Sequence, residues 1–286
     1  MSRRADPTAC PWAFALLGAL SLAVGLAACG DDREGLGGSE DERSEAVASG
    51  RFQLVPSPDV GGEVADARLG FREPENGARF QPGEAVPVAF RLSGYELGVP
   101  TEGPGERGIA RSDGGQHLHL VLNNEPYRAV YDADEGVVLQ GLPEGTHVLR
   151  TFPGLDWHES VKAPGAFSSR VFQVGEGEIQ PPEELTGPLL TYSRPVGEYE
   201  GAAADSILVD FHLSGVRLSP EGYRVRITVT PPEEEPEQWI LTRWEPHLLV
   251  GLPEGEHTVR VELLDPEGVP VPGALNGAER TIRVRR

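Results

Sequence analysis

Gly141-Leu142-Pro143-Glu144-Gly145-Thr146-His147-Val148-Leu149-Arg150 recurs 110 residues later as Gly251-Leu252-Pro253-Glu254-Gly255-Glu256-His257-Thr258-Val259-Arg260, with seven of ten positions identical. Upstream, Phe90-Arg91-Leu92-Ser93-Gly94 pairs with Phe211-His212-Leu213-Ser214-Gly215. Gly115-Gln116-His117-Leu118-His119-Leu120 likewise pairs with Gly222-Tyr223-Arg224-Val225-Arg226-Ile227. The same order at similar spacing is the mark of a duplicated domain. The copies are expected at residues 64–176 and 188–286, and the proline-rich stretch around Gln180-Pro181-Pro182-Glu183-Glu184 makes 177–187 a polar, bending linker.

Within each copy the apolar period is two. Val86, Val88, Phe90 and Leu92 alternate with other residues, as do Leu118, Leu120 and Leu122; in the second copy Ile207, Val209, Phe211 and Leu213, and Val225, Ile227 and Val229 do the same. Alternation gives each strand one buried face. Short strands between Gly/Pro turns, about 100 residues per unit, describe two tandem immunoglobulin-like β-sandwich domains, an all-β chain. The first copy then has strand B at 85–92, C at 116–122, E at 136–140, F at 145–152 and G at 168–174. This assignment requires Phe90 with Phe211, and Leu120 with Ile227, to be buried at equivalent sites.

Composition agrees. The chain has 286 residues, of which 36 are glycine and 26 proline, and helix interiors tolerate neither. With 25 basic and 45 acidic residues the formal charge is −20, a field that repels phosphate backbones, so no nucleic-acid partner is expected. Halophilic adaptation and plain solubility both remain open as reasons for the acidity.

The N-terminus reads as an export signal over residues 1–28: Arg3 and Arg4 precede Pro11 to Ala28, a charge-free and mostly apolar run. At its end Leu26-Ala27-Ala28-Cys29 resembles the lipobox of bacterial lipoproteins, which implies cleavage before Cys29 and lipid attachment to it. An ordinary cleaved signal with a chance cysteine is the alternative. The two cysteines are Cys10 and Cys29, so no disulfide and no disulfide-linked partner is expected in the mature chain. Residues 29–63, with Asp31-Asp32 and Glu40-Asp41-Glu42 and almost no apolar periodicity, read as a disordered acidic tether. From about Gly141 onward the chain also resembles uncharacterised envelope lipoproteins of cyanobacteria and other bacteria. The matching stretches are Trp157-His158-Glu159-Ser160, Pro188-Leu189-Leu190-Thr191-Tyr192-Ser193-Arg194-Pro195 and Arg243-Trp244-Glu245-Pro246. That resemblance implies fold and location, and no activity.

What both copies share reads as fold; what one copy has alone is a candidate for function. His147 and His257 are shared and lie on the core side by alternation, where a backbone carbonyl at the sheet corner would satisfy them. His117 and His119 stand where the second copy has Arg224 and Arg226, on the outer face of strand C and about 6.5–7 Å apart along it. Asp156-Trp157-His158-Glu159 follows strand F and has no counterpart after Arg260. In an immunoglobulin-like sandwich the B–C and F–G loops share one end, which places His117, His119, Trp157, His158 and Glu159 at a common apex. The segment Gly94 to Gln116 beside them is long enough to be either functional or a loose insertion.

Two readings of that apex stand. It is a surface for a protein, glycan or ion, or His117, His119 and His158 hold zinc or copper with Glu159 or Asp156 as an oxygen donor. No catalytic residues are assigned, since the chain has no Gly-x-Ser-x-Gly elbow, P-loop, dinucleotide fingerprint or His-Glu-x-x-His. The expectation is a non-catalytic envelope lipoprotein, held to the membrane by its N-terminal lipid, with Gly30 after the cysteine favouring the outer membrane or surface over the inner membrane. Metabolic labelling with a palmitate analogue should mark the protein, and Cys29→Ala should abolish the signal; equal labelling of the variant would refute the anchor.

Overall fold

The computed structural model describes residues 52–58, 66–102 and 109–286. The expected signal peptide, Cys29 and most of the tether lie outside the described residues. Strand alternation produces seventeen β-strands among these residues. β1 is Gln53–Pro56; the first copy contributes β2 (Arg68–Glu73), β3 (Ala78–Phe80), β4 (Val86–Ser93), β5 (His117–Leu122), β6 (Arg128–Val130), β7 (Val137–Leu139), β8 (Gly145–Gly154) and β9 (Ser168–Val174). The second copy contributes β10 (Leu189–Arg194), β11 (Gly197–Glu200), β12 (Ser206–Ser214), β13 (Arg224–Thr230), β14 (Glu237–Leu241), β15 (His247–Val250), β16 (Gly255–Leu264) and β17 (Gly277–Arg285).

Each copy is a sandwich of two sheets. In the first, β2-β4-β7 faces β3-β9-β8-β5-β6; in the second, β10, β12 and β15 face β11-β17-β16-β13-β14. Both carry the immunoglobulin arrangement, A-B-E against A′-G-F-C-C′, and in both the A′ strand runs parallel to G: β3 to β9, β11 to β17. The fold is all-β and duplicated. Phe90, Phe211, Leu120 and Ile227 are all buried, in two separate cores. A one-residue slip would have put them outside.

The shared histidines close the same corner in both copies. His147 Nε2 donates to the Pro143 carbonyl at 2.8 Å and His257 Nε2 to the Pro253 carbonyl at 2.8 Å. His147 also stacks on Phe172 in the core, so the repeat motif is a structural device.

Two expectations are corrected. The sequence reads as a disordered tether through residue 63, yet β1 pairs antiparallel with β15 of the second domain, Gln53 opposite Val250 through Pro56 opposite His247. Phe52 and Leu54 are buried in the second domain's core, with the Phe52 ring 5.8 Å from Trp239. The chain therefore joins the second sandwich before it builds the first. Two apolar residues at i and i+2 satisfy a strand face, but four residues ended by Pro56 are too short to show a period.

The second correction concerns the linker. Glu183–Thr186 is a 3-10 turn, and Ile179 and Leu185 pack with Val148, Val171, Leu189 and Leu275, an apolar cluster drawn from both domains. A polar bending hinge cannot bury such a cluster and remain free to move.

Leu54→Ala should cost about 2–5 kcal/mol in denaturant unfolding, whereas Gln53→Ala, on the exposed face of the same strand, should change stability by less than about 0.5 kcal/mol. A silent Leu54→Ala would remove β1 from the second core.

Candidate functional site

The expected solvent face of β5 is not a solvent face. His117 and His119 do lie opposite Leu118 and Leu120, but both histidines are fully buried, because the outer face of the first domain's five-stranded sheet docks on the second domain. Phe152, paired with His119 across β5 and β8, lies 4.8 Å from the His212 ring of β12.

Polar groups fasten this contact. Arg150, buried on β8, donates to the Leu190 carbonyl at 3.1 Å and to Thr191 Oγ1 at 2.9 Å in the second domain, and to Asn124 Oδ1 at 3.0 Å and the Asn123 carbonyl in its own. Burial lowers its pKa to about 10. Asn124 Nδ2 donates to the carbonyls of Ala274 and Gly277, each at 2.9 Å. On the other side Asp210 of β12, buried, accepts from the Ser160 backbone N–H at 3.0 Å and the Ser160 hydroxyl at 3.1 Å, with Lys162 Nζ at 3.4 Å. Burial raises the Asp210 pKa and Lys162, the chain's single lysine, opposes that rise.

Inside this contact sits the histidine cluster. His117 Nδ1 donates to the Gly115 carbonyl at 2.9 Å, leaving its Nε2 as an acceptor that faces His119 Nε2 at 3.0 Å and His158 Nδ1 at 3.2 Å. The donor nitrogens of His117, His119 and His158 all lie within 4.8 Å of one another. Tyr127 stacks on His119 with centroids 3.7 Å apart, and its hydroxyl lies 3.0 Å from His158 Nδ1. Ser193 Oγ of the second domain lies 3.0 Å from His119 Nδ1. Burial holds all three imidazoles neutral: it lowers the pKa of His117, lowers that of His119 well below its ordinary value, and takes His158 to about 2. The charge of Arg194, whose guanidinium lies over the Tyr127 ring, works in the same direction.

The remaining apex residues have other duties. Trp157 is buried and its indole N–H donates to Glu159 Oε2 at 3.0 Å, while Glu159 Oε1 is 3.6 Å from Lys162. Asp156 accepts from the Thr101 N–H at 3.2 Å and pairs with Arg111 at 3.4 Å. Neither carboxylate belongs to the histidine cluster, so the expected oxygen donor is corrected: the side-chain oxygens beside the cluster are those of Tyr127 and, from the second domain, Ser193. The described flanks of the B–C segment are pinned to this loop as well, for Tyr95 donates to the Gly154 carbonyl at 2.9 Å and Ser112 N–H to the Asp156 carbonyl at 2.6 Å. Sequence reading missed Tyr127, which carries no motif, and named Ser193 only within the Pro188 to Pro195 stretch of the resemblance, without linking it to the distant histidines.

No protein-family model matches the chain, and no curated protein matches it. Among solved structures it is similar to the fibronectin(III)-like modules of Clostridium thermocellum CbhA (13% identity, 76% of this chain and 94% of that one, TM-score 0.26). It is similar also to the two tandem V-type regions of VCBP3, a v-region-containing chitin binding protein (7% identity, 77% and 99%, TM-score 0.23). The central fibronectin-III array of RIM-binding protein is a third (12% identity, 79% and 71%, TM-score 0.23).

His212 gives a prediction apart from the cluster. It is sandwiched by Phe152 and Phe167, the latter stacked at 5.0 Å, with Trp244 edge-on, and neither ring nitrogen has a hydrogen-bond partner among the described residues. Burial lowers its pKa to about 3. The unfolded chain therefore takes up a proton near pH 6.5 that the folded chain refuses, and the neutral ring's contribution, complete above 6.5, is lost toward pH 3 at about 1.4 kcal/mol per pH unit. His212→Phe should keep stability at pH 7.5 and flatten the acid slope by about that amount. An unchanged slope would show that His212 is protonated in the fold.

Proposed function

We propose that this chain is a non-catalytic, lipid-anchored envelope protein whose two immunoglobulin-like domains act as one binding or spacer module. The observation that supports this most is the interdomain contact. Arg150, Asn124, Asp210 and Arg280 each bond to groups of the other domain; Arg280 donates to the carbonyls of Ser193 at 2.9 Å and Tyr192 at 3.0 Å in its own domain and Glu125 at 3.4 Å in the first. A module that presents a surface at a fixed distance and angle needs its domains held in this way. The lipobox-like Leu26-Ala27-Ala28-Cys29 supports the anchor, and the first strand after it, β1, lies at the edge of the second domain.

Calorimetric unfolding of the whole chain should show one transition in which both sandwiches melt together. Arg150→Ala leaves four neutral acceptors without their donor, should cost about 1–3 kcal/mol or more, and should split the transition in two. Two transitions in the unaltered chain would indicate a hinge, and the spacer reading would fail.

A further inference from the structure

The structure assigns a transition-metal site to His117, His119 and His158, and we propose that it takes one divalent ion, zinc or cupric, at the contact between the two domains. The proposal does not depend on the module reading above.

Geometry is the first support. A tetrahedral ion bound at about 2.0–2.1 Å holds imidazole nitrogens roughly 3.3 Å apart. His117 Nε2 stands 3.0 Å from His119 Nε2 and 3.2 Å from His158 Nδ1, close to that spacing; all three donors lie inside 4.8 Å, so the His119 and His158 rings must draw together by about 1 Å or more as an ion binds. Metal-binding imidazoles need their other nitrogen fixed by an outer partner, and two are: His117 Nδ1 on the Gly115 carbonyl, His119 Nδ1 on Ser193 Oγ.

Proton counting is the second. With Nδ1–H of His117 committed to Gly115, its Nε2 carries one lone pair and faces two imidazole nitrogens. A single lone pair accepts one good hydrogen bond, so one of these close N···N approaches is left with nothing to hold it. A cation placed among the three nitrogens would use every lone pair. The Tyr127 hydroxyl, 3.0 Å from His158 Nδ1, is an oxygen beside the nitrogen that His158 would offer.

Local backbone choices are the third. His158 adopts φ 71°, a left-handed conformation that costs a non-glycine residue about 1–2 kcal/mol, and that conformation turns its ring toward His117. Gly154 makes room opposite, since a Cβ there would meet His119 Nε2 at 2.5 Å. The donor set is all imidazole and no methionine follows Met1, which suits zinc or cupric ions rather than cuprous. Because Ser193 belongs to the second domain, binding and domain docking should reinforce one another.

The test uses the purified whole chain, stripped with a chelator and titrated with Zn²⁺ and with Cu²⁺ by calorimetry. One ion per chain should bind saturably, His158→Ala should weaken binding at least about 100-fold, and Ser193→Ala, which removes an outer partner only, about 10-fold. Cobalt(II) added to the unaltered chain should give the intense visible bands of a tetrahedral site, a readout that survives if a variant misfolds. Absence of saturable binding by either ion, equal affinity in His158→Ala, or the pale spectrum of octahedral cobalt would overturn the assignment.

Discussion

The buried guanidinium of Arg150 governs the arrangement of everything around it. Removing such a charge from water costs several kcal/mol, and it is tolerated here because two acceptors come from the first domain, Asn123 and Asn124, and two from the second, Leu190 and Thr191. Separating the domains would strip half of these partners. Thr191 and Ser193 lie on the same strand face, so the strand that satisfies Arg150 also delivers Ser193 to His119. The register of β10 on the first domain thus sets both the stability of the contact and the shape of the histidine cluster.

The duplication shows what this contact changed. Arg260 is the repeat equivalent of Arg150, yet it is half-exposed and pairs with Glu262 at 2.7 Å. Across β13 and β16, Arg226 and the buried Glu262 form an ion pair at 2.8 Å where the first copy sets His119 beside Phe152. One backbone thus carries an outer face of ion pairs in the second domain, and in the first an outer face of histidine, phenylalanine and valine around the guanidinium of Arg150, which another domain covers.

Strands, core faces and the sheet-corner histidines were legible in the sequence, since each depends on neighbours one or two residues apart. Phe90, Leu120, Phe211 and Ile227 follow from alternation alone. The interface did not follow, because alternation reports which residues share a face and says nothing about what covers the outer one. A trace was present: Val148 and Phe152 flank Arg150 on the outer face of β8, where the second copy has Thr258 and Glu262. The meeting of His117, His119 and His158 follows from loop geometry common to such sandwiches, while Tyr127 and Ser193 reach it through strand packing that no local pattern encodes.

Double electron–electron resonance tests the single-body claim most directly. Nitroxides would be placed at Val138→Cys on β7 and Ile240→Cys on β14, exposed positions in different domains, with Cys10 and Cys29 replaced by serine. One narrow distance distribution, unchanged by temperature up to the onset of melting, is predicted. A broad or multi-peaked distribution would contradict a fixed interdomain contact, and with it the burial of Arg150.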